Sequence, residues 1–199
     1  MSNTKATTLT VRFDKLHKIL QYVEDTTTAI KMQSGRMLSF NPDEIKNKAY
    51  NNLSDTIEQW RAEIKTLASM FRDTESQYEI YNGKGILEDT PRDAVPTYAA
   101  SEIPDPFVMS EKLYQIGFYK LDDDMYGANK KEFSLDEIVA DIEKLRGYTS
   151  FCLKALANMK YEGVWGDVGE KVRKVIDSYY TGLDMVITDF LNIYNYKTI

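Results

Sequence analysis

The feature that most constrains this fold is a regular spacing of apolar residues in four segments of the sequence. In each segment, apolar side chains recur at alternating steps of three and four residues, which places them on one face of an α-helix. The segments are residues 13–37, 53–81, 135–159 and 168–193. A stretch that holds four of the five prolines separates the second segment from the third. The sequence therefore predicts two long helical hairpins.

Capping signals predict where several of these helices begin and end. Residues 41–44 read Asn-Pro-Asp-Glu, in which Asn caps the helix, Pro suits its first position and the acids favour its positive end. The second helix then ends at the Asn-Gly of residues 82–83. The third begins with a capping box at residues 134–137 and ends at a break in residues 162–167. The second helix should be about 60 Å long at 1.5 Å per residue.

We predict an all-α protein, an elongated four-helix bundle made of two antiparallel helical hairpins joined by a Pro-containing crossover. Residues 1–82 supply the first hairpin, 83–132 the linker or crossover and 133–199 the second hairpin. Residues 107–132 fit either a short helix or a short hairpin at the acidic turn 122–124, and we favour the short helix. The same apolar helix faces, which we call apolar stripes, would also pack on a second chain, which would give a homo- or hetero-oligomer.

The composition argues against several classes of function. A net charge of −6 without a dense Lys/Arg cluster argues against nucleic-acid binding. One cysteine, Cys152, and one histidine, His17, exclude an intrachain disulfide and the Cys/His zinc sites. No apolar run is long enough for a membrane span, and the start of the chain lacks the pattern of a cleaved signal peptide. Because no phosphate-binding glycine loop or catalytic triad spacing is present, we predict a non-enzymatic protein without a metal or cofactor.

Residues 135–196 read as a helix, a short turn containing Trp165-Gly166-Asp167, and a second helix. This segment resembles the WxG superfamily of small helical hairpins that type VII secretion systems export. In that family a Trp-x-Gly turn joins two antiparallel helices, and the hairpins pair into four-helix bundles. Here the glycine follows the tryptophan directly, one place earlier than in the family. The resemblance implies a tandem form in which one chain supplies both hairpins, as in the helical leaders of larger secreted toxins.

The resemblance also implies contacts for a protein partner, either the secretion machinery or another helical protein. Trp165, Gly166 and Asp167 are the first candidates, and Trp165 either packs at the end of the bundle or anchors the partner. Tyr98 and Glu102 are the second, because the family's export signal is a Tyr followed four residues later by an acid. The expected function is that of a WxG-like substrate, or a helical targeting domain, of a type VII secretion system. It implies secretion without a cleaved signal peptide, with a cytoplasmic location as the alternative.

Two other functions stay open at this point. Long helices also suit a structural protein that oligomerises, such as a phage or cell-envelope component. Arg12 and His17 have the Arg-x4-His spacing of helical ribonucleases of the HEPN class, in which Arg holds phosphate and His moves a proton. Asp14 and His17 have the spacing of a helical di-iron site, which needs a second such motif that one histidine cannot supply. We expect His17 at a partly exposed position, and Trp60 and Cys152 in the core.

Overall fold

The computed structural model describes residues 8–10, 13–83, 97–99, 118–122, 125–128, 134–157, 161 and 165–195. Most of them are α-helical, which confirms the all-α class predicted from the apolar stripes. None of the described helices is both long and apolar enough to cross a membrane. The helices are α1 (Phe13–Met37), α2 (Glu44–Gly83), α3 (Leu135–Ala157), α4 (Gly166–Ser178) and α5 (Asp184–Asn195), and a π-helical turn (Tyr179–Leu183) joins α4 to α5.

Two short antiparallel strand pairs accompany the helices. The strands are β1 (Thr8–Thr10), β2 (Thr97–Ala99), β3 (Phe118–Asp122) and β4 (Met125–Ala128). β1 pairs with β2, and β3 pairs with β4. The short helix that we favoured in the crossover is therefore wrong for β3 and β4, where the hairpin alternative is correct. The physical reason is that Phe118, Tyr119 and Tyr126 carry aromatic side chains that favour extended backbone. The rest of that prediction, residues 107–117 and 129–132, lies outside the described residues.

The two predicted helix starts have different outcomes. The capping box of α3 is confirmed, because the Ser134 hydroxyl accepts from the Glu137 N–H and the Glu137 carboxylate accepts from the Ser134 N–H, both at 3.2 Å. At α2, however, Asp43 is the cap, since its Oδ1 accepts from the Lys46 N–H at 2.9 Å. Asn41 instead has a left-handed φ of 59°. The prediction of Asn41 as the cap is wrong because the turn after α1 needs a residue that tolerates this backbone conformation.

The last predicted helix contains a π-helical turn that shifts its buried face. Tyr179 and Leu183 keep the predicted stripe and are 1% exposed. After the turn, Ile187 is buried at 1% exposure, whereas Val186, the predicted stripe residue, is only partly buried. A π-turn adds a residue to one helical turn, so the apolar face moves by one position along the sequence.

Adjacent helices run antiparallel wherever their side chains meet. Between α1 and α2, Lys31 bonds Glu58 at 2.8 Å and Glu24 bonds Arg61 at 3.1 Å, so rising numbers on α1 match falling numbers on α2. Between α1 and α3, the Thr149 hydroxyl donates to the Thr26 hydroxyl at 2.7 Å, and the Gln33 amide donates to Asp141 at 3.0 Å. Because α2 and α3 are both antiparallel to α1, they point in the same direction.

The chain from α4 to α5 is also antiparallel to the helices that it contacts. On the α2 side, the ring pairs are Tyr50–Phe190, Trp60–Tyr179 and Phe71–Trp165, at centroid distances of 6.5, 5.4 and 5.8 Å. On the α3 side, Arg146 Nε donates to Asp184 at 3.0 Å, and the Ser150 and Tyr180 hydroxyls are 2.5 Å apart. Rising numbers on one partner again match falling numbers on the other.

α1 makes its most extensive contact with α3, through a face that mixes apolar and small polar residues. Thr27 and Ser34 are buried, and their hydroxyls donate to carbonyls one turn earlier in their own helix, at 2.9–3.1 Å and 2.7 Å. These bonds let polar residues occupy a buried face without leaving a donor unsatisfied. Trp60 and Cys152 belong to the same buried core, at 3% and 0% exposure, as the sequence predicted.

A buried lysine joins the α1–α2 turn to α5. Lys46 is 1% exposed, and its Nζ donates to the Asn41 carbonyl at 2.6 Å, lies 3.5 Å from the Asp43 carboxylate and sits 5.0 Å from the centre of the Tyr194 ring. The charge is thus compensated by a carboxylate, a carbonyl and an aromatic face. Burial, followed by the nearby Asp43 charge, raises the pKa of Tyr194 from 10.0 to about 12.

We expect the Tyr194 phenol to make folding sensitive to alkaline pH. Between about pH 10 and 12 the folded state keeps a proton that the unfolded state releases, so this contribution is complete below about pH 10 and is lost as the pH rises toward 12. Urea unfolding at about pH 9 and pH 11.5 should show a smaller alkaline loss for Tyr194→Phe than for the wild type. An equal loss for Tyr194→Phe would contradict the assignment.

Candidate interaction site at the turn before α4

The tryptophan of the predicted turn is a core residue. Trp165 directly precedes α4, has a helical backbone conformation and is 0% exposed. Its indole packs on Phe71 of α2, with ring centroids 5.8 Å apart. Of the two roles that the sequence left open for Trp165, packing at the end of the helices therefore agrees with the structure. The other predicted role, in which the Trp165 side chain itself anchors a partner, disagrees with this burial, because a fully buried indole has no surface for a partner to contact.

Tyr161 holds the chain between α3 and α4 against both neighbouring helices. Its phenol donates to the Leu156 carbonyl at 2.7 Å, in the last described turn of α3. Its ring meets Phe71 edge-on, with centroids 6.3 Å apart. Burial raises the pKa of this phenol above its usual value of 10.0, so it remains a hydrogen-bond donor across the ordinary pH range.

Gly169 allows this packing because it has no side chain. A Cβ added at Gly169 would lie 2.5 Å from the Cβ and 2.7 Å from the Cγ of Tyr161. These distances are too short for real carbon contacts, so the first turn of α4 can approach Tyr161 only with glycine at this position. We refer to Phe71, Tyr161, Trp165 and Gly169 as the aromatic turn.

The sequence analysis missed Tyr161 and Gly169. A usable signal was present for the glycine, since it lies four residues after Trp165 and therefore on the same face of α4. A glycine inside an otherwise helical pattern often marks a close approach. Tyr161 gave no comparable signal, because it lies outside the periodic segments and the ring that it packs on, Phe71, is 90 residues earlier in the chain.

The two residues that follow Trp165 are on the surface. Gly166 and Asp167 are both exposed, and within the described part of the chain no tertiary contact lies within 4 Å of a Cβ built on Gly166. Asp167 lies in the first turn of α4, where a negative charge also suits the positive end of the helix. These two residues, held by the buried aromatic turn, form the accessible part of the predicted contact. We call them the exposed pair.

The second predicted contact is described only in part. Tyr98 lies in β2, opposite Leu9 of β1. Glu102 lies outside the described residues. The Tyr98–Glu102 contact stays a prediction.

The residues considered for chemistry lie apart from this turn. His17 is partly buried on α1, as expected, and it lines a cleft between α1 and α2. Arg12 lies outside the described residues, and Asp14 is described only as part of the α1 backbone. Across the part of the chain that the structure describes, no three His, Cys, Asp or Glu side chains are grouped to hold a metal ion.

Comparisons of this chain with protein-family models, with curated proteins and with solved structures gave no match.

Proposed function

We propose that this chain is a non-enzymatic helical interaction protein, a WxG-like substrate or helical targeting domain of a type VII secretion system. In this proposal it is secreted without a cleaved signal peptide, and its partner is the secretion machinery or another helical protein. The observation that carries the proposal is the fully buried Trp165 next to the exposed Gly166 and Asp167. This combination offers a partner a fixed surface at a turn that resembles the family's motif.

We also infer that the helices form an elongated four-helix bundle. One hairpin would be α1 with α2, and the other α3 with the continuous α4–α5 helix. The antiparallel contacts support this arrangement, since α1 meets α2 and α3, and α4–α5 meets α2 and α3 in turn. In such a bundle α2 and α3 point the same way, so the crossover has to return the chain to the end where α2 began. A connection of about fifty residues is long enough to do so.

Rigidity at the turn favours recognition for a thermodynamic reason. A partner that binds an ordered surface does not have to supply the entropy cost of ordering it. The Phe71–Trp165 and Phe71–Tyr161 contacts fix the residues that precede the exposed pair, and the close approach of Gly169 to Tyr161 fixes the helix that follows it. Gly166 adds little bulk, so a partner surface can approach the start of α4 closely.

Charge reversal at Asp167 tests the proposal in a bacterium that carries a type VII secretion system. The account predicts that Asp167→Arg lowers the amount of protein in the culture medium about tenfold or more, since an opposed charge in a contact costs well over 1 kcal/mol. Asp136→Arg is the matched control, because Asp136 is also exposed and occupies the second position of α3, as Asp167 does in α4. Both variants lose the same favourable interaction with a helix dipole, so their melting temperatures should fall equally.

Export of Asp167→Arg at the level of Asp136→Arg would contradict this role for the turn. A wild-type protein that stays in the cell and assembles into large oligomers would support the structural alternative and overturn the secretion proposal. Metal-independent cleavage of RNA by the wild type that is lost in His17→Ala would overturn the non-enzymatic class.

A further inference from the structure

A cleft of about 320 Å³ lies between α1 and α2. Its volume is at the lower end of the range of about 300–1,000 Å³ that small-molecule sites occupy. Leu20 of α1 and Ile64 of α2 line it although they are only 2% and 1% exposed, so they form an apolar floor. Ala68 also lines it, and its short side chain leaves space where a larger residue would fill the seam between the two helices.

The α2 wall of the cleft carries two cations without acidic partners. Lys65 and Arg72 both line the cleft and both are exposed. They are seven residues apart, which places them on one side of α2 about two turns from each other, with Ala68 between them. Neither forms a salt bridge with any residue that the structure describes.

The carboxylate that lines the cleft is already neutralised. Glu24 accepts hydrogen bonds from Arg61 Nε and Nη2 at 3.3 and 3.1 Å. Its negative charge is therefore compensated by Arg61, which also pairs with Glu58 at 3.4 Å and lies outside the lining. Among the lining residues that the structure describes, Lys65 and Arg72 then carry an excess of positive charge. Gln21 and His17 line the α1 wall and supply polar groups opposite these cations.

From these features we propose that the cleft binds a small amphipathic anion, an acidic headgroup on a short hydrocarbon body. The hydrocarbon covers Leu20 and Ile64, and the headgroup lies beside Lys65 and Arg72. The protein as a whole carries a charge of −6, which repels anions at long range. The two cations alone would therefore hold a simple anion weakly, and a ligand that also covers the apolar floor should bind better. This site does not depend on the proposed function in secretion.

A titration followed by two-dimensional NMR tests the proposal with octanoate as the probe. We expect saturable shifts of the backbone amides of Leu20, Ile64 and Ala68. Octanol and octylamine have a hydrocarbon body one methylene longer and no negative charge, and they should bind about tenfold more weakly or not at all. Octyl phosphate distinguishes a phosphate headgroup from a carboxylate, and tighter binding of either anion supports the proposal.

Variants of the chain distinguish the contribution of the two cations to binding from that of the open space beside Ala68. Lys65→Gln with Arg72→Gln should weaken octanoate binding about tenfold, because the carboxylate then has neither of the two exposed cations beside it. Ala68→Leu should block binding by filling the cleft while leaving both cations in place. The matched control is Lys144→Gln with Arg173→Gln, two exposed helical positions on α3 and α4, and it should bind octanoate as the wild type does.

Two results would overturn the proposal. The first is the absence of saturable shifts with both anionic probes. The second is equal binding of octanoate and octanol, which would make the cleft a general apolar surface. The melting temperature of each variant is measured as well. A loss of binding is assigned to the cleft only in variants whose melting temperature equals that of the wild type.

Discussion

Replacing Trp165 with alanine is expected to lower the free energy of unfolding by about 3–5 kcal/mol. The indole is fully buried against Phe71, so its removal leaves a cavity that the surrounding helices fill only in part. Phe190→Ala, in the middle of α5, should cost a similar amount, because Phe190 is 1% exposed and packs between Tyr50 and Tyr194. Urea unfolding followed by far-UV circular dichroism measures both changes.

The control for this comparison is Phe151→Ala, since the Phe151 side chain is 47% exposed on α3. This change should alter stability by no more than about 0.5 kcal/mol. A Trp165→Ala protein that unfolds at the same urea concentration as Phe151→Ala would mean that the indole is not part of the core. From sequence alone we would have expected Trp165→Ala to cost much less than Phe190→Ala, because a turn aromatic usually contacts few core residues.

Replacing Gly169 with alanine is expected to destabilise the protein by about 1–3 kcal/mol, although alanine is the better helix former. The added Cβ would lie 2.5 Å from the Cβ of Tyr161, an atom next to the backbone that cannot move without its segment. The strain should therefore displace the Tyr161 ring from Phe71 and weaken the hydrogen bond to Leu156. Thermal unfolding of the variant measures the net effect.

Gly147→Ala is the matched control, because Gly147 is an exposed glycine inside α3 and none of the described residues outside its own helical turn lies within 4 Å of a Cβ built there. This substitution should stabilise the protein by about 0.5–1 kcal/mol through helix propensity alone. The two glycines are thus expected to respond with opposite signs. If Gly169→Ala also stabilised the protein, the close approach of α4 to Tyr161 would be wrong.

The apolar stripes predicted much of the core, because helical periodicity depends only on local spacing. Leu53, Ile57, Trp60 and Ile64 follow each other at steps of three and four on α2, and each is at most 3% exposed. The helix starts were predictable for the same reason, as the reciprocal Ser134–Glu137 bonds show. At residues 41–43 two capping residues competed, and the choice depended on the shape of the turn after α1.

What the sequence could not predict depends on contacts between distant residues. The Thr26–Thr149 hydrogen bond joins residues 123 positions apart, and no periodicity indicates that α1 packs on α3. The π-turn was also missed, because the residues from Tyr179 to Leu183 are compatible with an ordinary α-helix. Its effect on the buried face, from Val186 to Ile187, appears only when α5 is seen in contact with the rest of the core.

The same limit applies to the candidate interaction site. The Trp-Gly turn was visible in the sequence, but whether its tryptophan faced the core or a partner depended on Phe71, which is 94 residues earlier in the chain. The structure assigns the buried role to Trp165 and leaves Gly166 and Asp167 accessible. In our proposal, recognition at this turn therefore uses the small Gly166 and the charged Asp167 rather than the indole.

The most direct test of this arrangement is the fluorescence of Trp165 in a Trp60→Phe protein. Trp60 and Trp165 are the two tryptophans of the chain, so this variant reports on the turn alone. Phenylalanine keeps an aromatic ring against Tyr179, and circular dichroism checks that the fold is retained. The account predicts blue-shifted emission that acrylamide quenches poorly in the folded protein and a red shift on unfolding in urea. Emission from the folded protein that is already red-shifted and readily quenched would show an exposed indole and contradict the account.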